Sequence, residues 1–145
     1  MRAAGRRWIG MLGVAAVLFV VLDPVWLTVV ATSLYDRLLG DLLAEEPNAA
    51  AAVGFYVLFL LGLTHFVIRP AVERDSLALA GRDGAFFGLV TYATWDLTSL
   101  AVLEGFPAAL VPVDLAWGAF LAAAVSAGTV AVWRSVTRRR APAGR

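Results

Sequence analysis

Four apolar runs dominate the chain: Trp8 to Leu34, Ala49 to Ile68, Ala85 to Leu103 and Leu110 to Trp133. At a helical rise of about 1.5 Å per residue, about 20 residues cross the hydrocarbon core of a bilayer, and each run reaches or approaches that length. In lipid a backbone must satisfy its own N–H and C=O groups, and a helix does so within a single segment. The expected fold is therefore an all-α integral membrane protein, a single domain of four transmembrane helices in an antiparallel bundle. The spans are expected at about 8–34, 49–68, 85–103 and 110–133, followed by an arginine-rich tail over 134–145. Hydrophobic residues make up 61% of the 145, against about 45–50% apolar in soluble domains, which argues against a soluble fold.

The basic residues are all arginines, and they are placed asymmetrically. With four crossings, eleven of the twelve lie on one side, with Arg37 as the exception. The positive-inside rule then puts both termini in the cytoplasm. A basic start followed by so long an apolar run and three further spans is expected to act as an anchor, not as a cleaved signal. The tail from Arg134 reads as a disordered cytoplasmic end drawn to anionic lipid, and nucleic acid is not an expected partner. With no cysteine there is no disulfide framework or thiolate chemistry. One histidine, His65, falls well below the layer of acids discussed next, so no metal site is expected, and no motif calls for a cofactor.

The connections have distinct characters. Tyr35 to Asn48 is expected as the first external connection, either a short interfacial helix ended by Pro47 or a solvated loop. Arg69 to Gly84 is expected as the internal connection, with a half-turn of helix near Ser76 to Ala80. Glu104 to Ala109 is short enough to make spans three and four antiparallel neighbours. Gly84 with Gly88, and Gly118 with Ala122, have the spacing that lets helix backbones approach closely. The spacing alone leaves open whether they do so within one chain, in a homo-oligomer or against another membrane protein.

Three aspartates fall inside the runs: Asp23, Asp96 and Asp114. On insertion scales an aspartate at a helix centre costs about 2.5–3.5 kcal/mol, while each Leu, Ile, Phe or Val returns only about 0.3–0.6. Counted from the outer span ends they lie at depths of about 16, 11 and 8 Å, with Tyr56 at about 10 Å, so each span contributes a polar group to one slab. Trp26 and Trp117 follow their aspartates at i+3, while Asp96 has Tyr92 at i−4 and Ser99 at i+3. Indole and phenol donors suit a buried carboxyl. Pro24 is expected to bend or break span one at Asp23, setting that acid at a helix break as in transporter sites. The competing structural readings are packing glue for Asp23, an enclosed polar helix for Asp96, and an anion near a helix N-terminus after Pro112 for Asp114. Trp8 and Trp133 are expected in the interfacial belt.

These residues also carry a resemblance. LDPVWL in span one, YDRLLG after it, FYVLFLLGL in span two, FGLVTYATWDLTSLAVLEGFP in span three and VDLAWG in span four resemble the bacterial membrane proteins of domain of unknown function 2177, over about Leu18 to Ala124. Asp23, Trp26, Tyr35, Gly40, Asp96, Asp114, Trp117 and Gly118 fit the pattern. Trp95 and Ser99 depart from it, standing where the family usually has Tyr and Asn. The resemblance implies a four-span protein of the bacterial inner membrane and lends no activity.

The leading expectation is a non-enzymatic protein that binds, or translocates, a small or cationic solute or protons. It would use an outward-facing acidic pocket of Asp23, Asp96 and Asp114, lined by Trp26, Tyr56, Tyr92, Ser99 and Trp117. One alternative is an enzyme using an aspartate acid/base pair on a lipid or isoprenoid. The other is a structural partner whose small-residue faces bind another membrane protein.

Overall fold

The computed structural model describes residues 2–140, and the expected tail beyond Arg140 lies outside the described residues. These residues form four helical units, each long and apolar enough to cross a membrane: Ala4–Leu39, Ala49–Glu73, Leu77–Val102 and Leu110–Arg138. The first joins α1 (Arg2–Trp26), a π turn (Leu27–Ala31) and α2 (Thr32–Leu39). The second joins α3 (Ala49–Leu63), a second π turn (Thr64–Ile68) and α4 (Arg69–Glu73). The third is α5 (Leu77–Val102) and the fourth α6 (Leu110–Arg140). No strand occurs among the described residues. Val20, Val29, Leu58, Phe86, Val102 and Phe120 face outward, as helices in contact with lipid require.

Pro24 does not break span one. Asp23 and Pro24 both lie within α1, and Trp26 keeps helical dihedrals. The irregularity comes a turn later, where the Thr32 backbone N–H reaches the Leu27 carbonyl, an i−5 bond. Thr28 Oγ1 donates to the Pro24 carbonyl at 2.8 Å and Thr32 Oγ1 to the Leu27 carbonyl at 2.7 Å. In an apolar medium an open turn would leave more backbone groups unpaired than the proline does, so the helix continues.

Three expected connections also differ. Tyr35 to Leu39 belongs to α2 and extends span one instead of forming a separate interfacial helix. Leu38 and Leu39 pack against Phe106, Leu110 and Val111, which accounts for the apolar positions in that stretch. The helix stops because Gly40 takes φ +46°, a conformation that glycine adopts without strain. The internal connection shrinks to a tight turn between Glu73 and Leu77, since α5 starts a full two turns before the expected boundary at Ala85. The Ser76 side chain caps α5 by accepting from Leu79 N–H at 3.1 Å, as Asn48 caps α3 by accepting from Ala51 N–H at 3.0 Å. Finally, α6 runs helically through Arg134 to Arg140, which were expected to be disordered. Arg134 is held in place, donating from Nε to the Asp75 carboxylate and from Nη2 to the Asp75 carbonyl in the α4–α5 turn.

The α5–α6 pair forms the spine of the bundle. A Cβ placed on Gly88 would meet the Gly118 carbonyl oxygen at 1.9 Å, and one on Gly84 would meet that of Ala122 at 2.7 Å. The small-residue spacing is therefore used inside the chain, and these glycines are not free to receive another protein. Along α1 and α6, Gly10 lies beside Trp133, Leu18 beside Gly128, Trp26 on Trp117 and Tyr35 on Asp114. This antiparallel register puts both ends of the described chain at one end of the bundle. Trp8 and Trp133, expected in the interfacial belt, pack partly buried against the main core around Leu63, Leu121 and Val125.

Candidate functional site

All three aspartates are buried, at 6%, 0% and 3% exposure for Asp23, Asp96 and Asp114. Their surroundings differ. Asp23, in a regular part of α1, accepts from the Tyr56 hydroxyl of α3 at 3.0 Å. Trp117 of α6 lies beside it, with its indole N–H buried and short of hydrogen-bonding geometry. Trp26 stacks on Trp117 with ring centroids 4.5 Å apart and planes 6° from parallel, so the i+3 indoles meet each other as well as their acids.

Asp114 takes both its hydrogen bonds from one donor, the Tyr35 hydroxyl, which lies 3.0 Å from each carboxylate oxygen. Asp96 has no hydrogen-bond partner at either oxygen among the described residues. It lies within Coulombic range of Asp114, with Ser99 buried one turn along the same helix face. The Tyr92 phenol is the hub, within Coulombic range of Asp23, Asp96, Asp114 and Tyr56. Its ring occupies the space that a side chain at Gly118 would need, with ring carbons as close as 2.3 Å to the missing Cβ. Gly118 thus lets Tyr92 enter the middle of the bundle.

The polar groups do not form one slab. Asp96 and Asp114 belong to an upper tier with Tyr35, and Asp23 to a lower tier with Tyr56 and Trp117. From Asp114 to Trp117, across the stack to Trp26 and down to Asp23, the step is about 9 Å along the bundle, two rises of three residues each. A recess of about 440 Å³ opens beside the upper tier, and of the eight residues expected to line a common pocket only Tyr92 and Asp114 border it. Asp23, Trp26, Tyr56, Asp96, Ser99 and Trp117 do not border it. Tyr35, Thr91 and Trp95 border it and were missed as lining residues.

Tyr35 could not be placed by helical counting. Twelve residues beyond Asp23 on an ideal helix it would sit about 120° away from it; the π turn absorbs one residue, leaving about 20°. The signal available in the sequence was Pro24 followed by threonines, which marks a disturbed helix but not the size of the correction. Among the described residues no group of three or more His, Cys, Asp or Glu is placed to hold a metal ion. His65 is exposed and sits edge-on to Phe66, with centroids 4.8 Å apart.

Four apolar helices wrapped around a cluster of carboxyls and phenols define a multi-span helical membrane protein with a polar interior. Residues 8–131 match the family described as "Predicted membrane protein (DUF2177)", and the chain belongs to that family. It matches no curated protein and no solved structure.

Proposed function

We propose that the protein binds, and moves, a small cationic solute or protons through the acidic interior of the bundle. The observation that carries this reading is Asp96, a fully buried carboxyl with neither oxygen paired and a second carboxyl, Asp114, within Coulombic range. Buried carboxyls in native proteins are hydrogen-bonded or charge-paired. What this pair lacks is positive charge, either a proton or a cation. Inside membrane-spanning segments such acids mark ion or proton paths. Tyr92 stands between the upper tier and the Tyr56–Asp23 pair, within Coulombic range of both, and its phenol supports a path that joins them.

The arginine distribution supports an orientation with both ends in the cytoplasm of a bacterial inner membrane, which directs the recess outward. The test is proton flux and cation uptake in proteoliposomes. Asp96→Asn and Asp23→Asn are each expected to lower the rate at least tenfold, and wild-type flux in both variants would discard the reading.

A further inference from the structure

We propose that the recess between α2, α3, α5 and α6 binds an organic ammonium or phosphonium cation with a bulky apolar body. This deepens the cation reading above and rests on it. Among the described side chains, Asp114 is the charged group that borders the recess. It is buried, and the Tyr35 hydroxyl at 3.0 Å from each oxygen holds the carboxyl in place at the recess wall. Around it stand four aromatic side chains, Tyr35, Phe55, Tyr92 and Trp95. One carboxylate among several rings is the arrangement that receives quaternary cations, through charge pairing and attraction to ring faces.

Two comparisons narrow the ligand class. A bare inorganic dication needs six or more oxygens or keeps its own waters, whereas the described side chains bordering the recess offer those of Asp114, two phenols and Thr91. A weakly hydrated organic cation needs few oxygens and gains from apolar walls. The volume of about 440 Å³ is within the about 300–1,000 Å³ of small-molecule sites.

The side on which the ligand arrives also follows from the packing. Helices α3 and α5 touch at Phe59 and Phe87, with centroids 5.6 Å apart. One turn beyond that contact the recess separates them, bordered by Phe55 and Thr91. Phe55 and Trp95 at its rim are 43% and 60% exposed, so it opens sideways between the helices, where an amphipathic cation concentrated at the membrane surface would meet it.

The probe is tetraphenylphosphonium, with tetraphenylborate as its anionic isostere, titrated against the purified full chain by intrinsic tryptophan fluorescence and equilibrium dialysis. Saturable binding of the cation but not of the borate is expected, with quenching of Trp95. Asp114→Asn keeps an oxygen for the Tyr35 hydroxyl and should weaken binding at least tenfold. Trp95→Leu, at a position 60% exposed that keeps an apolar side chain beside Phe106, should weaken it several-fold and remove most of the quenching, with far-UV circular dichroism checking the fold. If Asp114→Asn does not fold, Trp95→Leu decides. No saturable binding, equal binding of the borate, or unchanged affinity in the folded variants overturns the proposal. Loss of phosphonium binding alongside proton flux that still depends on Asp96 would overturn this site alone and leave the broader reading standing.

Discussion

An alanine at Gly88 would set two helix backbones against each other. Its Cβ would fall 1.9 Å from the Gly118 carbonyl oxygen and 2.6 Å from the carbonyl carbon, where real Cβ contacts essentially never fall below 3.0 Å. Both opposing atoms are main chain, so no rotamer change relieves the clash, and α5 and α6 must part by about 1 Å at their crossing. Forced overpacking of this kind costs about 1–3 kcal/mol. Alanine for glycine inside a helix also returns about 0.5–1 kcal/mol of conformational entropy, which would blur the measurement on its own. Gly54 supplies the control: it is also helical and has nothing within 4 Å of its missing Cβ, so Gly54→Ala gains the same return without the clash. The difference in unfolding free energy between the two variants is then the overpacking cost alone, about 1–3 kcal/mol. Steric trapping or SDS titration in mixed micelles, followed by far-UV circular dichroism, measures it. Equal stability of Gly88→Ala and Gly54→Ala would refute the close crossing and, with it, the room that Gly118 leaves for Tyr92.

Other outcomes follow from the polar interior. Tyr35→Phe removes the only donor to Asp114 among the described residues and leaves a buried acid unpaired, for a loss of about 1–3 kcal/mol in the same unfolding assay; Asp114→Leu in that background should recover part of it. Asp96→Leu should leave stability unchanged or raise it, because the carboxyl has no partner to lose, while abolishing flux in proteoliposomes; a large drop in stability would make Asp96 a packing residue. Trp26→Ala breaks the indole stack with Trp117, and a loss of about 0.5–1.5 kcal/mol beyond the buried area is expected from a double-mutant cycle with Trp117→Ala.

The number of spanning helices and the positions of the three acids within them were legible in the sequence, because each is a local property. Apolar runs of spanning length admit only helices, and an acid within such a run stands out whatever it touches. The contact between spans three and four was legible too, from a short loop and paired small-residue spacings. Misreadings arose where a local rule met an opposing demand. Pro24 should break a helix, yet apolar surroundings leave an open backbone no water to bond, and the helix runs on through Pro24 into a π turn instead. YDRLLG has the composition of a surface segment, but its leucines find Phe106, Leu110 and Val111 and carry the helix on to Leu39.

A four-helix membrane chain with an aspartate in three of its apolar runs can be read from local composition. Which acids share a neighbourhood, and which of them meets open space, is a matter of packing. Helical phase accumulates residue by residue, so one extra residue in the π turn swings everything after it by about 100°, and Tyr35 reaches Asp114 for that reason. The partition into a hydrogen-bonded Asp23, a Tyr35-clamped Asp114 at the recess and an unpaired Asp96 that does not border it depends on the relative rotation of all four helices, which no single segment encodes.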